Sequence, residues 1–227
     1  MYTLTAADFA DTGQWRMILN IRKDGLDAWL ENTVRAGIPP QKLCEVSWEE
    51  DPAMLLKHLE EAVYENPRLL DDFATRIILF DEHTLFIPEE ITEESEKTEG
   101  EIYQQIYDAE SSDIMYETKG GITGVWSMGP GIRSFLLRTF PGARLSNNLL
   151  EGVDKALKNP MGWHLTANVR RNEADVIVTV NGKLMAASTR KIQEENDLEK
   201  IIDETLAAFG INRDNTVMII NREESEE

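Results

Sequence analysis

WRMILNIRKDGLDAWLEN (residues 15–32) and WHLTANVRRNEADVIVTV (residues 163–180) are two copies of one segment, and their reading decides the fold. Trp15, Asn20, Ile21, Arg22, Lys23, Asp24 and Asp27 meet Trp163, Asn168, Val169, Arg170, Arg171, Asn172 and Asp175 at one constant offset. Each copy alternates apolar and polar residues, turns at a basic tip beside an Asp or Asn, and alternates again. Period two on both sides of a turn is the signature of a β-hairpin. A duplicated hairpin predicts two similar α/β lobes facing each other across a cleft.

The match runs on past the hairpin. Leu43 to Ser47 (LCEVS) aligns with Leu184 to Ser188 (LMAAS), and Thr75-Arg-Ile-Ile-Leu79 with Thr216-Val-Met-Ile-Ile220. Asn181-Gly182 between apolar runs predicts a type I′ turn, whose two central residues need positive φ. The connection over 32–42 is longer. A helix follows in each copy. The first is expected to start at Asp51-Pro52, an N-cap with proline at N1, and to bury Leu55, Leu56, Leu59, Ala62 and Val63. The second is expected to start near Asn196, with Glu199 completing a capping box, to bury Leu198, Ile201, Ile202, Leu206 and Phe209, and to stop at Gly210. Each copy therefore reads strand, strand, strand, helix, strand.

The chain has 227 residues, 41% of them apolar, which suffices for two modest cores. Its net charge of −19 argues against non-specific nucleic-acid binding and against docking on an anionic membrane, since both require a basic face. One cysteine, Cys44, forms no intrachain disulfide; it sits in a strand pattern and reads as a buried, inert thiol. Residues 1–13 lack a basic and then apolar leader, and no stretch approaches eighteen apolar residues, so no membrane insertion and a cytoplasmic location are expected.

Between the copies, Thr75–Phe80 and Thr84–Pro88 read as two strands meeting at an Asp81-Glu82-His83 turn. Glu89 to Glu101, with seven glutamates and one lysine, reads as a solvated loop leading into a helix through Ile102, Tyr103, Ile106 and Tyr107. Strands are predicted at 114–117 and 122–128 around Gly120-Gly121. A helix after Pro130 should bury Ile132, Phe135, Leu136 and Phe140. A short helix with Leu149, Val153, Ala156 and Leu157 follows, and Pro160 marks the lobe boundary. The expected domains are 1–160, made of the repeat unit 15–88 and an extension 89–160, and 161–227, a shorter second lobe without a further strand and helix.

This duplicated order resembles the actin-like ATPase superfamily, with its ribonuclease H-like lobes. Within it, the chain is similar to the bacterial family called domain of unknown function 3822. The resemblance covers most of residues 14–221. It is carried by Arg16 to Arg22 with Asp24-Gly25-Leu26, by Tyr64-Glu-Asn-Pro-Arg-Leu-Leu70, and by Ile77-Ile-Leu-Phe-Asp81 leading to Phe86-Ile-Pro-Glu-Glu90. Phe135-Leu-Leu-Arg-Thr-Phe-Pro-Gly-Ala-Arg144 and Asn168-Val-Arg170 carry it further. The resemblance implies two lobes, each with a mixed sheet of the five-strand type and helices, the second reduced.

It also implies what has been replaced. Active members carry Asp-x-Gly at each leading hairpin, where glycine lets backbone N–H groups approach phosphate and aspartate organises hydrated Mg²⁺. The corresponding triplets here are Asn20-Ile-Arg22 and Asn168-Val-Arg170, and no GxxxxGK[ST] loop occurs. No catalytic residue, cofactor or metal is assigned. The candidate anion and cleft residues are Asn20, Arg22, Lys23, Asn168, Arg170 and Arg171. Guanidinium groups suit phosphate, yet the same arginines can pair with Asp24, Asp27, Glu173 or Asp175 and close the cleft. The arginines 133, 138 and 144 read as snorkelling at a helix rim. His58, His83 and His164 share no zinc-type spacing. The expected function is a non-catalytic scaffold or assembly adaptor for an unknown protein partner. The alternative is a nucleotide- or anion-binding protein, a weak ATPase or phosphotransferase. A homodimer through an exposed strand edge is a further expectation.

Overall fold

The computed structural model describes residues 11–80, 83–94, 97–107, 109–110, 113–194 and 196–222, without the side chains of 92–94. In chain order the elements are β1 (Trp15–Arg22), β2 (Gly25–Asn32), β3 (Gln41–Ser47), α1 (Leu55–Glu65), β4 (Thr75–Phe80), β5 (Thr84–Pro88), α2 (Glu89–Glu94), α3 (Glu99–Ile106), β6 (Ile114–Lys119) and β7 (Ile122–Ser127). Then come α4 (Ile132–Thr139), β8 (Arg144–Ser146), α5 (Asn148–Ala156), β9 (Trp163–Arg170), β10 (Glu173–Val180), β11 (Lys183–Lys191), α6 (Asp197–Ala208) and β12 (Thr216–Arg222). Two compact units result, one of residues 1–82, 102–115 and 126–147, the other of 83–101, 116–125 and 148–227.

The first unit is built on a five-stranded sheet, ordered β3-β2-β1-β4-β8. β1 is antiparallel to β2 and parallel to β4, and β2 is antiparallel to β3. Alternation in β1 sends Trp15, Met17, Leu19 and Ile21 to one face, where Leu26, Ala28 and Leu30 of β2 join them, all buried. The apolar stripes of α1 and α4 (Leu55, Leu59, Val63; Ile132, Phe135, Leu136) complete that core. Burying a side chain of this size contributes about 1.5–3 kcal/mol. Gly25 is required by close approach: a Cβ there would lie 2.4 Å from the Val46 carbonyl oxygen.

The second unit repeats the order with four strands, β11-β10-β9-β12. Leu165, Ala167, Ala174, Val176 and Val178 face Leu198, Ile202 and Leu206 of α6. The opposite face packs Ile177 against Leu149, Val153 and Ala156 of α5. Asn181 (φ 52°) and Gly182 (φ 73°) form the predicted two-residue turn, both with positive φ. Gly120 (φ 59°) and Gly121 (φ 78°) turn β6 into β7 in the same way.

Several expectations change. β5 does not pair with β4; it joins a separate three-stranded sheet, β5-β7-β6. Residues 81 and 82 of the expected turn lie outside the described residues. β8 was not anticipated, because three residues carry no periodicity. α1 begins at Leu55 after a turn in which Asp51 Oδ1 accepts from Ala53 N at 3.0 Å. Asn196 makes no side-chain cap on α6; Asp197 accepts instead from the backbone N–H groups of Gln193 and Glu194 at 2.9 and 2.8 Å. Gly210 (φ 62°) ends that helix as predicted, with Ile211 N donating to Leu206 O at 2.9 Å.

Candidate functional site

The two leading hairpins carry Asn20, Arg22, Asn168 and Arg170 on the face turned away from the α1 and α6 cores, and Lys23 and Arg171 at their turns. In β1 and β2, Asn20 lies directly opposite Asp27. Asn20 Nδ2 donates to Asp27 Oδ2 at 2.7 Å, and Trp29 Nε1 donates to the same oxygen at 2.8 Å. Arg22 Nη1 forms an ion pair with Asp27 Oδ1, while Arg22 Nε reaches Asp24 Oδ1 at 3.3 Å. One buried carboxylate, 8% exposed, thus takes three donors from its own hairpin. Strand alternation explains the geometry: residues 20 and 22 share a face with 27 and 29 across the antiparallel pair.

The tip itself is tied down. Trp48 Nε1 donates to the Lys23 carbonyl at 2.9 Å and Trp48 N to the Asp24 carbonyl at 2.9 Å. Its indole stacks on His58 with centroids 5.8 Å apart. The Lys23 residue is exposed.

The second hairpin repeats the central contact with different helpers. Asn168 again lies opposite Asp175. Arg170 Nη2 meets Asp175 at 3.0 Å, and Thr189 Oγ1 donates to Asp175 Oδ1 at 2.7 Å. Asp175 is 1% exposed. Asn168 turns elsewhere: its Oδ1 accepts from Asn221 Nδ2 at 2.8 Å. Gly152 of α5 makes room for it, since a Cβ there would come within 2.8 Å of Asn168 Nδ2 and Ile177 Cδ1. Arg171 is exposed and takes φ 43°, a backbone conformation that glycine adopts more easily.

Asn20 and Arg22 therefore converge on Asp27, and Arg170 on Asp175; Lys23 and Arg171 sit at the exposed tips. The pairing of these arginines with hairpin carboxylates, weighed from the sequence, is what the geometry shows for Arg22 and Arg170. Trp29, Thr189 and Asn221 were missed, because their partners are set by cross-strand register, which the sequence does not display. A carboxylate held by a guanidinium at contact distance is favoured in its ionised form and is a weaker base than a free one. Among the described residues no group of three or more His, Cys, Asp or Glu is placed to hold a metal ion. Burial, with the nearby Asp27 charge second, pushes the half-buried Cys44 thiol up from its ordinary value, away from the thiolate that a nucleophile needs. No helix among the described residues is long and apolar enough to cross a membrane.

The model of the family described as "Protein of unknown function (DUF3822)" matches residues 6–226. A Bacteroides thetaiotaomicron protein with an actin-like ATPase fold and unknown function is 17% identical, with TM-score 0.73 over 96% of this chain and 86% of that one. The cytoplasmic domain of EpsL, an inner membrane component of the type II secretion system of Vibrio cholerae, is 10% identical, with TM-score 0.51 over 93% and 84%. No curated protein matches the chain in sequence. Together with the repeated strand order, these likenesses establish the actin-like ATPase fold.

Proposed function

The chain belongs to the DUF3822 family, and we propose that it is a non-catalytic actin-like protein, a cytoplasmic scaffold or assembly adaptor that binds another protein. One observation carries the reading. Both places that resemble phosphate-binding tips hold a guanidinium already committed to an aspartate of the same hairpin, Arg22 to Asp27 and Arg170 to Asp175. An incoming phosphate would have to separate each pair in a setting where both partners are largely shielded from water, and would leave a buried carboxylate uncompensated. A net charge of −19 adds a repulsive field against a Mg²⁺-free triphosphate. The reading also fits the V. cholerae neighbour, which is a component of a larger assembly.

The test is calorimetric titration of the whole chain with ATP and ADP, with and without Mg²⁺, up to about 1 mM, the upper end of ordinary KM values. No heat of binding and no phosphate release are expected. Saturable nucleotide binding, or an ATPase abolished by Arg22→Ala or Arg170→Ala, would refute the proposal.

The anion-binding alternative has one atom in its favour. Arg22 Nη2 is buried without a hydrogen-bond partner among the described residues. Inorganic phosphate titrated into wild type and Arg22→Lys separates the readings: saturable binding lost in the variant supports an anion site.

A further inference from the structure

Asn181-Gly182 is the one asparagine–glycine pair in the chain. In an open chain such a pair reacts with itself. The Gly182 backbone nitrogen, losing its proton, attacks Asn181 Cγ. The N–Cγ bond forms, the Cγ–Nδ2 bond breaks, and Nδ2 leaves with the proton as ammonia. Water then opens the cyclic imide. Cleavage of the new N–Cγ bond gives aspartate; cleavage of the original peptide bond gives isoaspartate, whose backbone runs through Cβ. Glycine, with no side chain, hinders the attack least.

The structure holds this pair in a conformation that forbids the first step. Val180 pairs with Lys183, so Asn181 and Gly182 form the whole turn between β10 and β11. Their φ values of 52° and 73° are those of a type I′ turn. The first central residue of that turn has ψ near about +30°, which sets the following nitrogen roughly 150° in torsion from Cβ about the Cα–C bond. The Gly182 nitrogen therefore stands nearly opposite Asn181 Cβ, whereas ring closure needs the two nearly eclipsed. Neighbours fix the turn in this state. Asn181 Oδ1 accepts from Gly162 N at 2.9 Å, and Asn181 N donates to Gly162 O at 3.1 Å. Gly182 lies against the segment after α5, where a Cβ would come within 3.3 Å of the Leu157 carbonyl oxygen. The bond to Oδ1 draws electrons from Cγ and by itself favours attack. Direction, not electronics, closes the site.

We propose that Asn181 is a spontaneous deamidation site kept closed by its own turn, so that isoaspartate there records opening of the β10–β11 hairpin. Turning ψ until the nitrogen eclipses Cβ takes Asn181 out of the turn. Reaction then proceeds from the open hairpin, at a rate set by how often that state is populated. Isoaspartate adds a backbone atom to a two-residue turn whose register has no room for it, so a reacted chain does not close the hairpin again. Aspartate keeps the backbone length and an oxygen for Gly162 N. The device belongs to the second copy alone, because the matching connection over 32–42 is longer and carries Asn32-Thr33 instead.

The experiment keeps the whole chain at neutral pH, native or unfolded in urea, beside a peptide of residues 177–185. Peptide mapping by mass spectrometry follows Asn181 in each. The unfolded chain should react at the rate of the peptide, and the native chain at least about tenfold more slowly. That slowing should match the hydrogen-exchange protection of the Val180 and Lys183 amides to within about threefold. Equal rates in native and unfolded chains would overturn the proposal, and so would an unfolded chain that leaves Asn181 intact. Isoaspartate chains, separated and refolded, should lack protection at 180–183; native protection there would also overturn it.

Discussion

At the scale of single residues, the arginine–aspartate contacts make the sharpest claims. Asp175 is almost wholly buried and its cation is Arg170. Arg170→Met should destabilise the chain by about 3 kcal/mol, because it strands a buried carboxylate, and adding Asp175→Leu should recover most of the loss. Urea denaturation followed by circular dichroism measures both; a double variant no better than the single one would contradict the account. Gly25 makes a different point. A methyl group there meets a backbone oxygen, Val46 O, which cannot rotate away. Gly25→Ala should cost about 2 kcal/mol in the same assay. Neither effect could be sized from the sequence. Asp27 and Asp175 were visible as equivalent positions in the repeat, but that they absorb the arginine charge depends on side-chain reach.

At the scale of elements, turns and caps decide outcomes. Asn181 has φ 52° and its Oδ1 accepts from Gly162 N at 2.9 Å. Asn181→Val loses that bond and forces a β-branched residue into the left-handed region, at about 2 kcal/mol, read as a lower midpoint in urea. Before α6, the backbone N–H groups of Gln193 and then Glu194 hold the Asp197 carboxyl below its ordinary value. A carboxylate whose pKa is lower folded than unfolded stabilises at pH above the unfolded value, and loses that contribution as pH falls through the folded one. Wild type should therefore lose stability faster than Asp197→Asn as pH drops below about 4, the ordinary Asp range; parallel pH curves would exclude the effect. Register is the level at which the repeat misleads. Asp27 faces Glu45 while Asp175 faces Thr189, so Glu45 corresponds to Thr189, not to Ala186 as the LCEVS and LMAAS match suggests. Likewise Arg16 faces Thr75 while His164 faces Val217, which shifts the last strand by one residue. A one-residue slip exchanges the two faces of a strand, and similar apolar runs align equally well either way.

At the scale of the whole molecule, the nucleotide question becomes a question of linkage. A ligand bound at ten times its Kd would stabilise the chain by about 1.4 kcal/mol, a rise of about 3–5 °C in Tm for a protein of this size. A thermal melt with about 1 mM Mg-ATP should show no such rise; a rise would place nucleotide on the native fold. What the sequence alone determined was the order strand, strand, strand, helix, strand, stated twice, together with most of the buried faces. Period-two alternation, an Asn-Gly turn and a glycine stop are local properties that the chain carries wherever it is placed. Tertiary structure alone decided that β5 leaves its neighbour for another sheet, that three residues of β8 complete the first sheet while β12 ends the second among the described residues, and that Arg22 and Arg170 are occupied from within. Those outcomes depend on which strands and side chains meet across long stretches of chain, and contacts of that kind have no period for a sequence to show.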